Sequence, residues 1–331
     1  MRQIEEEVMA LSNGAALATI VPTVLSDAVE QRIADLHVRV YELALAAKTP
    51  STERSYAGDW ANFSEFCGSI TAEALPAEPM TIAMYAAMLV DRGLAVATIA
   101  RRLAAIAKYH SRAGYEPPTR HARVRDFVGD VKKVLRIAQR HRTALLRDPL
   151  EMIVTTIPTD LRGLRDRAIL LTGWAGAFRR SELAGLDVGN LTFEAAGVAI
   201  YLATSKTDQI GAGETRALKR AKNDEMCPVR ALMAWCETVG DPTGPLFRGI
   251  NRHGHIGQRL SAHGVGAIVQ ARTGHLEGDF GAHSLRSGFA TQASRDGVSA
   301  LAIKRHGGWR SNVVERYIQA GSKWDQAVGL L

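Results

Sequence analysis

Along the first 140 residues, apolar side chains recur three and four positions apart, the spacing of one helix face. Val29, Ile33, Leu36, Val40 and Leu43 share such a face, and Ser26 and Asp27 can cap the helix that carries them to about residue 47. After Thr49-Pro50-Ser51, a second helix is predicted to about Cys67, with Tyr56, Trp60, Phe63 and Phe66 or Cys67 inward. Pro76 and Pro79 break the pattern. A third helix follows over about 81–91 and stops at Gly93. The fourth, about 96–112, sets Ile99, Leu103 and Ile106 on one side and Arg101, Lys108 and Arg112 on another. The fifth, about 120–141, turns Val124, Phe127, Val131 and Leu135 inward and shows a stripe of Arg125, Lys132, Arg136 and Arg140. Nothing between 26 and 140 alternates with the period of a strand.

The texture changes at 141–148, a basic stretch (HRTALLRD) with no apolar period of its own. Beyond it, short alternating runs at 191–193, 198–202 and 215–218 read as strands, and turns are expected at 195–197 and 208–213. Helices are predicted over 164–174, 178–186, 229–239, 262–271, 283–296, 300–306 and 312–320. The division that follows is an arm over 1–25, a helical domain over 26–140, a linker over 141–148, and a mixed α/β domain over 149–331. A chain of 331 residues suits two cores better than one.

Composition adds a direction. Lys and Arg exceed Asp and Glu, giving a net charge of +7, which points towards a polyanionic partner. A charged stripe is ordinarily a solvated helix face. Two consecutive helices with basic stripes and few acids among them favour a phosphate-tracking surface instead. Arg54, Arg101, Arg102, Lys108, Arg112, Lys132, Lys133 and Arg136 are its candidate contacts. Cys67, Cys227 and Cys236 show no paired spacing and read as reduced thiols. The acidic first turn and the early Gly14 and Pro22 do not fit a signal peptide, and no window reaches the ~20 apolar residues of a membrane span. A soluble cytoplasmic protein is expected.

The chemistry is concentrated in two segments. One is Ala177-Phe-Arg-Arg-Ser-Glu-Leu183, with Arg179 three residues before Glu182. The other runs from His283-Ser-Leu-Arg286 through Gly307-Gly308-Trp309 to Tyr317. Between them, Lys206 sits on a turn joining two predicted strands. Taken singly, each has a plain reading: a surface ion pair, a hairpin lysine, a core histidine, core aromatics. Together they supply what attack on a phosphodiester by a side-chain hydroxyl requires. Arg179 and Arg286 offer planar forks of donors to the developing charge. A phenol with an ordinary pKa of about 10 needs a base, and His283 is the candidate. Lys206 can protonate the leaving oxygen, and Glu182 can orient neighbouring cations. His253 and His255 form a His-x-His pair whose glycine-rich flanks suit a loop. There is no P-loop and no acidic cluster of the kind that holds magnesium.

The order and spelling of these pieces resemble the tyrosine recombinase (phage integrase) family over roughly residue 26 to the end. The resemblance implies an all-α core-binding domain, a SAM-like helical bundle, followed by a mainly helical α/β catalytic domain with a small antiparallel sheet. It implies that Tyr317 becomes joined to a 3′-phosphate, that Trp309 (where most members carry histidine) adds a hydrogen bond to the phosphate, and that no cofactor or metal is needed. It also implies double-stranded DNA with short inverted repeats as partner, and a homotetramer working through a Holliday junction. A type IB topoisomerase-like relaxer or a catalytically idle DNA-binding regulator would use the same fold. Trp309 to Tyr317 is eight residues, one fewer than is usual in the family. After Gly321, Trp324, Ala327, Val328 and Leu331 form a short apolar stripe that, by the same resemblance, docks into a neighbouring copy.

Overall fold

The computed structural model describes residues 29, 31–36, 38–39, 50–135, 142–203 and 213–321. The chain divides into two compact units, Met1–Gln139 and Arg140–Leu331.

Every element described in the first unit is helical. Val29, 31–36 and 38–39 are helical, and Val29, Ile33 and Leu36 lie exposed. Then come α1 (Pro50–Ser69), α2 (Pro79–Asp91), α3 (Val96–Arg112), a 3-10 turn at Pro118–Arg120, and α4 (Ala122–Leu135). Pro79 occupies the first turn of α2, where a missing N–H costs nothing. Of the inward positions expected from spacing, Phe63, Cys67, Ile99, Leu103, Ile106 and Val124 form the core, joined by Ile82, Tyr85 and Leu89 of α2. His110 is buried with them and satisfied on both nitrogens, by the Ala77 N–H and the Ile106 carbonyl, each at 2.9 Å.

The second unit packs helices around a small antiparallel sheet. In order it contains α5 (Arg147–Thr156), α6 (Leu161–Ala175), α7 (Arg180–Gly185), β1 (Leu191–Glu194), β2 (Gly197–Leu202) and β3 (Glu214–Lys219). There follow α8 (Pro228–Val239), β4 (Arg248–Ile250), β5 (Ile256–Arg259), α9 (Ala262–Thr273), α10 (Ala282–Arg295), α11 (Ala300–Gly307), a 3-10 turn at Asn312–Val314, and α12 (Glu315–Gly321). Strands β1, β2 and β3 form an antiparallel meander, with Ile200 opposite Leu191 on one side and Arg216 on the other. The β4–β5 hairpin is not predicted by the sequence, since strands of three and four residues give alternation too little length to register. Asp160 caps α6 and Ser261 caps α9, each through a side-chain oxygen on a first-turn N–H.

Residues 142–146, within the stretch expected as a linker, pack along the second unit and send Leu145 into its core. The Thr143 N–H donates to Asp279 and the Leu145 N–H to Ser284, and Leu145 is fully buried. Its carbonyl takes the Trp174 indole N–H at 2.8 Å. This segment crosses α10 at Gly288, where a Cβ would lie 1.8 Å from the Leu145 oxygen. The glycine that closes His-Ser-Leu-Arg-Ser-Gly is therefore required by close approach.

Candidate active site

Helix α10 is the site's axis. Leu285 and Ala290 anchor it in apolar packing, and His283 and Arg286 leave its first turns. His283 is exposed. Arg286 is only 1% exposed. One of its terminal nitrogens donates to the Ala177 carbonyl, and its guanidinium carbon lies 3.8 Å from the centre of the Trp309 ring. The other, Nη2, is buried and has no partner among the described residues. Burial first, then the charge of nearby Arg179, pushes the Arg286 pKa down to about 9, so the group still carries its proton at neutral pH.

The Gly-Gly-Trp sequence has a steric basis. Gly308 ends α11 in the left-handed region at φ +62. A Cβ on Gly307 would stand 1.9 Å from the Trp309 ring. Both glycines let the indole fold back under Arg286.

Arg179 stands just before α7 and Glu182 is in that helix's first turn. The Arg179 backbone N–H donates to Glu182 Oε2 at 2.9 Å and its Nη1 to Oε1 at 2.5 Å. Glu182 is buried and also accepts from Arg216 Nη1 at 3.2 Å. Its part is that of an orienting carboxylate between two guanidinium groups. Arg216 was not among the residues the sequence singled out. The available signal was its place in β3, two residues from Leu218 on the core-facing side, where an arginine is out of keeping with the pattern.

Tyr317 comes from the far end of the chain. The 3-10 turn at Asn312–Val314 leads into α12, which lies along α10, held there by the Ser294 hydroxyl donating to the Ile318 carbonyl at 2.9 Å. Buried Val314 and the half-buried Tyr317 and Ile318 pack with Ala177, Ala290, Ile303 and Trp309. The Tyr317 hydroxyl is 2.7 Å from His283 Nε2. Burial raises the phenol's pKa, and Arg316 and then Arg286 oppose the rise. The short Trp309-to-Tyr317 spacing thus delivers the tyrosine to the histidine. Lys206 lies outside the described residues.

The expected phosphate contacts of the first unit sit differently. Arg101 and Arg102 turn onto Asp59 of α1, and Lys108 and Arg112 turn onto Glu53 of the same helix, each at 3.0 Å. Lys133 is exposed and pairs with Asp130, and Arg54 is exposed on α1. The Lys132 side chain and Arg136 fall outside the described residues. Among the described residues no three His, Cys, Asp or Glu side chains gather as a metal site. His253 and His255 lie in the β4–β5 turn, their backbone N–H groups both held by the Asn251 side chain. No described helix is long and apolar enough to cross a membrane.

Residues 144–323, which hold every member of this cluster, match the Phage integrase family. The chain belongs to the phage integrase family. A xerD homolog of Selenomonas ruminantium, an integrase/recombinase, is 38% identical over 288 residues, 83% of each chain. Cre of Escherichia phage P1 is a more distant relative, 26% identical over 282 residues, 78% of this chain and 80% of Cre. The fold agrees with a lambda integrase dimer bound to a core site, at TM-score 0.52 and 17% identity over 100% of this chain and 90% of that one. A Tn1549 transposon integrase bound to transposon right-end DNA gives TM-score 0.57 at 15% identity, over 84% and 93%. The two-domain architecture read from the sequence, helical bundle then α/β domain with a small antiparallel sheet, is that of this family of tyrosine recombinases, and the protein is an enzyme of that kind.

Proposed function

We propose that this recombinase cleaves and rejoins strands of double-stranded DNA at a site with short inverted repeats, through a 3′-phosphotyrosyl intermediate on Tyr317. One observation carries the reading: a phenol 2.7 Å from an imidazole, beside a buried guanidinium with a donor nitrogen still unused. The Tyr317 oxygen attacks phosphorus as its proton passes to His283, and the 5′-oxygen leaves. Arg286 and Arg179 neutralise charge on the non-bridging oxygens as it develops. Trp309 holds the Arg286 plane from beneath and, by family resemblance, contributes to phosphate binding. Lys206 is assigned the proton for the leaving oxygen. The ester keeps the energy of the broken bond, so rejoining needs neither nucleotide nor metal.

Assembly as a cyclic tetramer acting through a Holliday junction is part of the same proposal. A cavity of about 400 Å³ in the second unit has apolar walls from Trp174, Phe289, Ala293, Val298, Ala302 and Ile303, with Arg147, Gln292, Asp296 and His306 also lining it. Its apolar walls suit the stripe Trp324, Ala327, Val328 and Leu331 of a neighbouring copy. A head-to-tail contact of that kind closes a ring when its rotation allows. Truncation after Ala320 is then expected to leave single-site binding intact and abolish paired-site complexes in gel-shift analysis.

The chemistry is tested with a nicked duplex that traps the covalent adduct, its site selected by binding from random-sequence DNA. Tyr317→Phe is expected to bind the duplex normally and give no adduct. Adduct formed by the Phe variant would mean that another residue is the nucleophile.

A further inference from the structure

We infer that Arg216 is a positioning residue of the active site, setting Arg179 through Glu182 and Arg286 through the turn at 176–178. The inference rests on the strand-transfer chemistry proposed above.

The argument starts from strand period. In β3 the residues at 216 and 218 point into the core. Leu218 belongs there. Arg216 is 3% exposed, and a guanidinium so placed costs free energy unless its donors are used. They are used on several elements at once. Nη1 donates to Glu182 Oε2 at 3.2 Å and to the Gly176 carbonyl at 3.1 Å, and Nε donates to Glu214 Oε1 at 3.0 Å. Its plane also lies over the Phe178 ring, 4.9 Å from the centre. Buried ionic clusters of this kind are commonly no more stabilising than apolar side chains of the same volume. Stability alone therefore does not explain an arginine here.

What the cluster touches does. Three successive carbonyls, where α6 ends, each meet a nitrogen from a different element: Ala175 meets His306 Nε2 at 2.7 Å, Gly176 meets Arg216, and Ala177 meets Arg286. They stand at the negative end of the α6 dipole, where cationic partners are favoured. Ala177 is held at φ +48, a left-handed conformation that a non-glycine residue keeps only when its surroundings enforce it. Arg216 grips the carbonyl just before it. The same guanidinium holds one oxygen of Glu182, whose other oxygen holds Arg179. One side chain thus touches both routes by which the two phosphate-facing arginines are aimed. It contacts neither the tyrosine nor the histidine in any described hydrogen bond, so it acts through its neighbours.

The test uses the full chain on the selected, nicked duplex and measures three things: the single-turnover rate of adduct formation, duplex affinity, and thermal unfolding. Arg216→Met, which fills the same space without donors, is expected to slow adduct formation by roughly 10²-fold, the scale of a small misplacement of catalytic groups, with affinity little changed. Combined with Glu182→Gln, the rate loss is expected to be smaller than the product of the two single losses, because both changes break one chain of contacts. If Arg216→Met does not fold, Arg216→Lys takes its place: it keeps the charge but cannot span Glu182, Gly176 and Glu214 together, so it too must slow the chemistry at unchanged affinity. Multiplicative losses with Glu182→Gln, or an unaltered rate per folded molecule, would overturn the role given to Arg216 while leaving the strand-transfer reading intact. Absence of adduct from the unaltered protein would overturn that reading, and this inference with it.

Discussion

Arginines appear in both units, and the two sets are opposites. On α3, Arg101 is 43% exposed and rests on Asp59, and its neighbours Arg102, Lys108 and Arg112 likewise have α1 carboxylates within reach. Those charges are already answered: the Glu53 pairs are partly exposed, where such a pair contributes about 0–1 kcal/mol, and the Asp59 carboxylate is itself buried. In the second unit Arg286 is 1% exposed and, among the described residues, has no carboxylate in hydrogen-bond contact and keeps a donor unused. Around it, Arg179 and Arg216 share Glu182, and Arg216 also takes Glu214. That cluster has one more cation than anion. On the basic stripe visible in sequence, any phosphate would have to compete with carboxylates already present. A buried guanidinium with an unused donor is what the proposed reaction asks of a phosphate site.

The largest test of that contrast is Arg286→Lys. Lysine keeps the charge but loses the fork and the flat face that lies on Trp309. Adduct formation on the trapping duplex is expected to fall by at least ~10²-fold, the usual effect of one lost transition-state donor, while the equivalent Arg101→Lys change should leave that rate alone. Equal effects at the two positions would erase the distinction.

Much of this arrangement was legible in advance, and the reasons are local. Helices α1 to α4 announce themselves by spacing, and Pro79 and Gly93 mark their ends. The candidate residues His283, Arg286 and Trp309 could be singled out because each sits in a segment with its own geometry, the first turns of α10 or the Gly-Gly-Trp bend. What could not be read was pairing between segments far apart in the chain. Glu53 is some fifty residues from Lys108, and nothing local says that the stripe on α3 will lie on α1's carboxylates. Arg216 escaped for the same reason: its contacts are Glu182, Gly176 and Glu214, of which only the last is near in sequence. The stretch 142–146 looked like a connector because its apolar residues are too few to show a period, yet Leu145 is a core residue of the second unit.

A middle-sized effect separates exposed from engaged cations within the first unit. If DNA phosphates reach this surface, each contact contributes about −0.9 to the slope of log affinity against log salt. Lys133 is 76% exposed and shares only a solvated pair with Asp130, so Lys133→Gln is expected to flatten the slope by about one contact. Arg101→Gln is expected to change it less, because Asp59 already holds that guanidinium. Salt titrations of the two variants on one duplex decide it. A larger change at Arg101 would mean that the α3 stripe exchanges its carboxylates for phosphate on binding.

The smallest effect concerns acid. Hydrogen bonding from Lys108, followed by Arg112, holds the Glu53 carboxyl below its ordinary range, more than burial raises it. A carboxylate with a lower pKa in the folded than in the unfolded state stabilises the fold at pH above the unfolded value, about 4.3. That contribution is lost as pH falls through the folded value, because the folded form must then take up a proton it binds less well than the unfolded chain does. Both partners are partly exposed, so the amount is at most about 1 kcal/mol at moderate salt. Glu53→Gln should therefore weaken the packing of α3 on α1 slightly at pH 7, by an amount that shrinks as pH falls below the unfolded value. Hydrogen exchange of peptides covering Pro50–Ser69 and Val96–Arg112 reads this directly. Protection in the unaltered protein is expected to exceed that of the variant at neutral pH, and the gap to narrow in acid. A gap that did not narrow as pH fell would show that Glu53 holds the helices by shape rather than charge, and the α3 cations would then be freer for phosphate than their pairing implies.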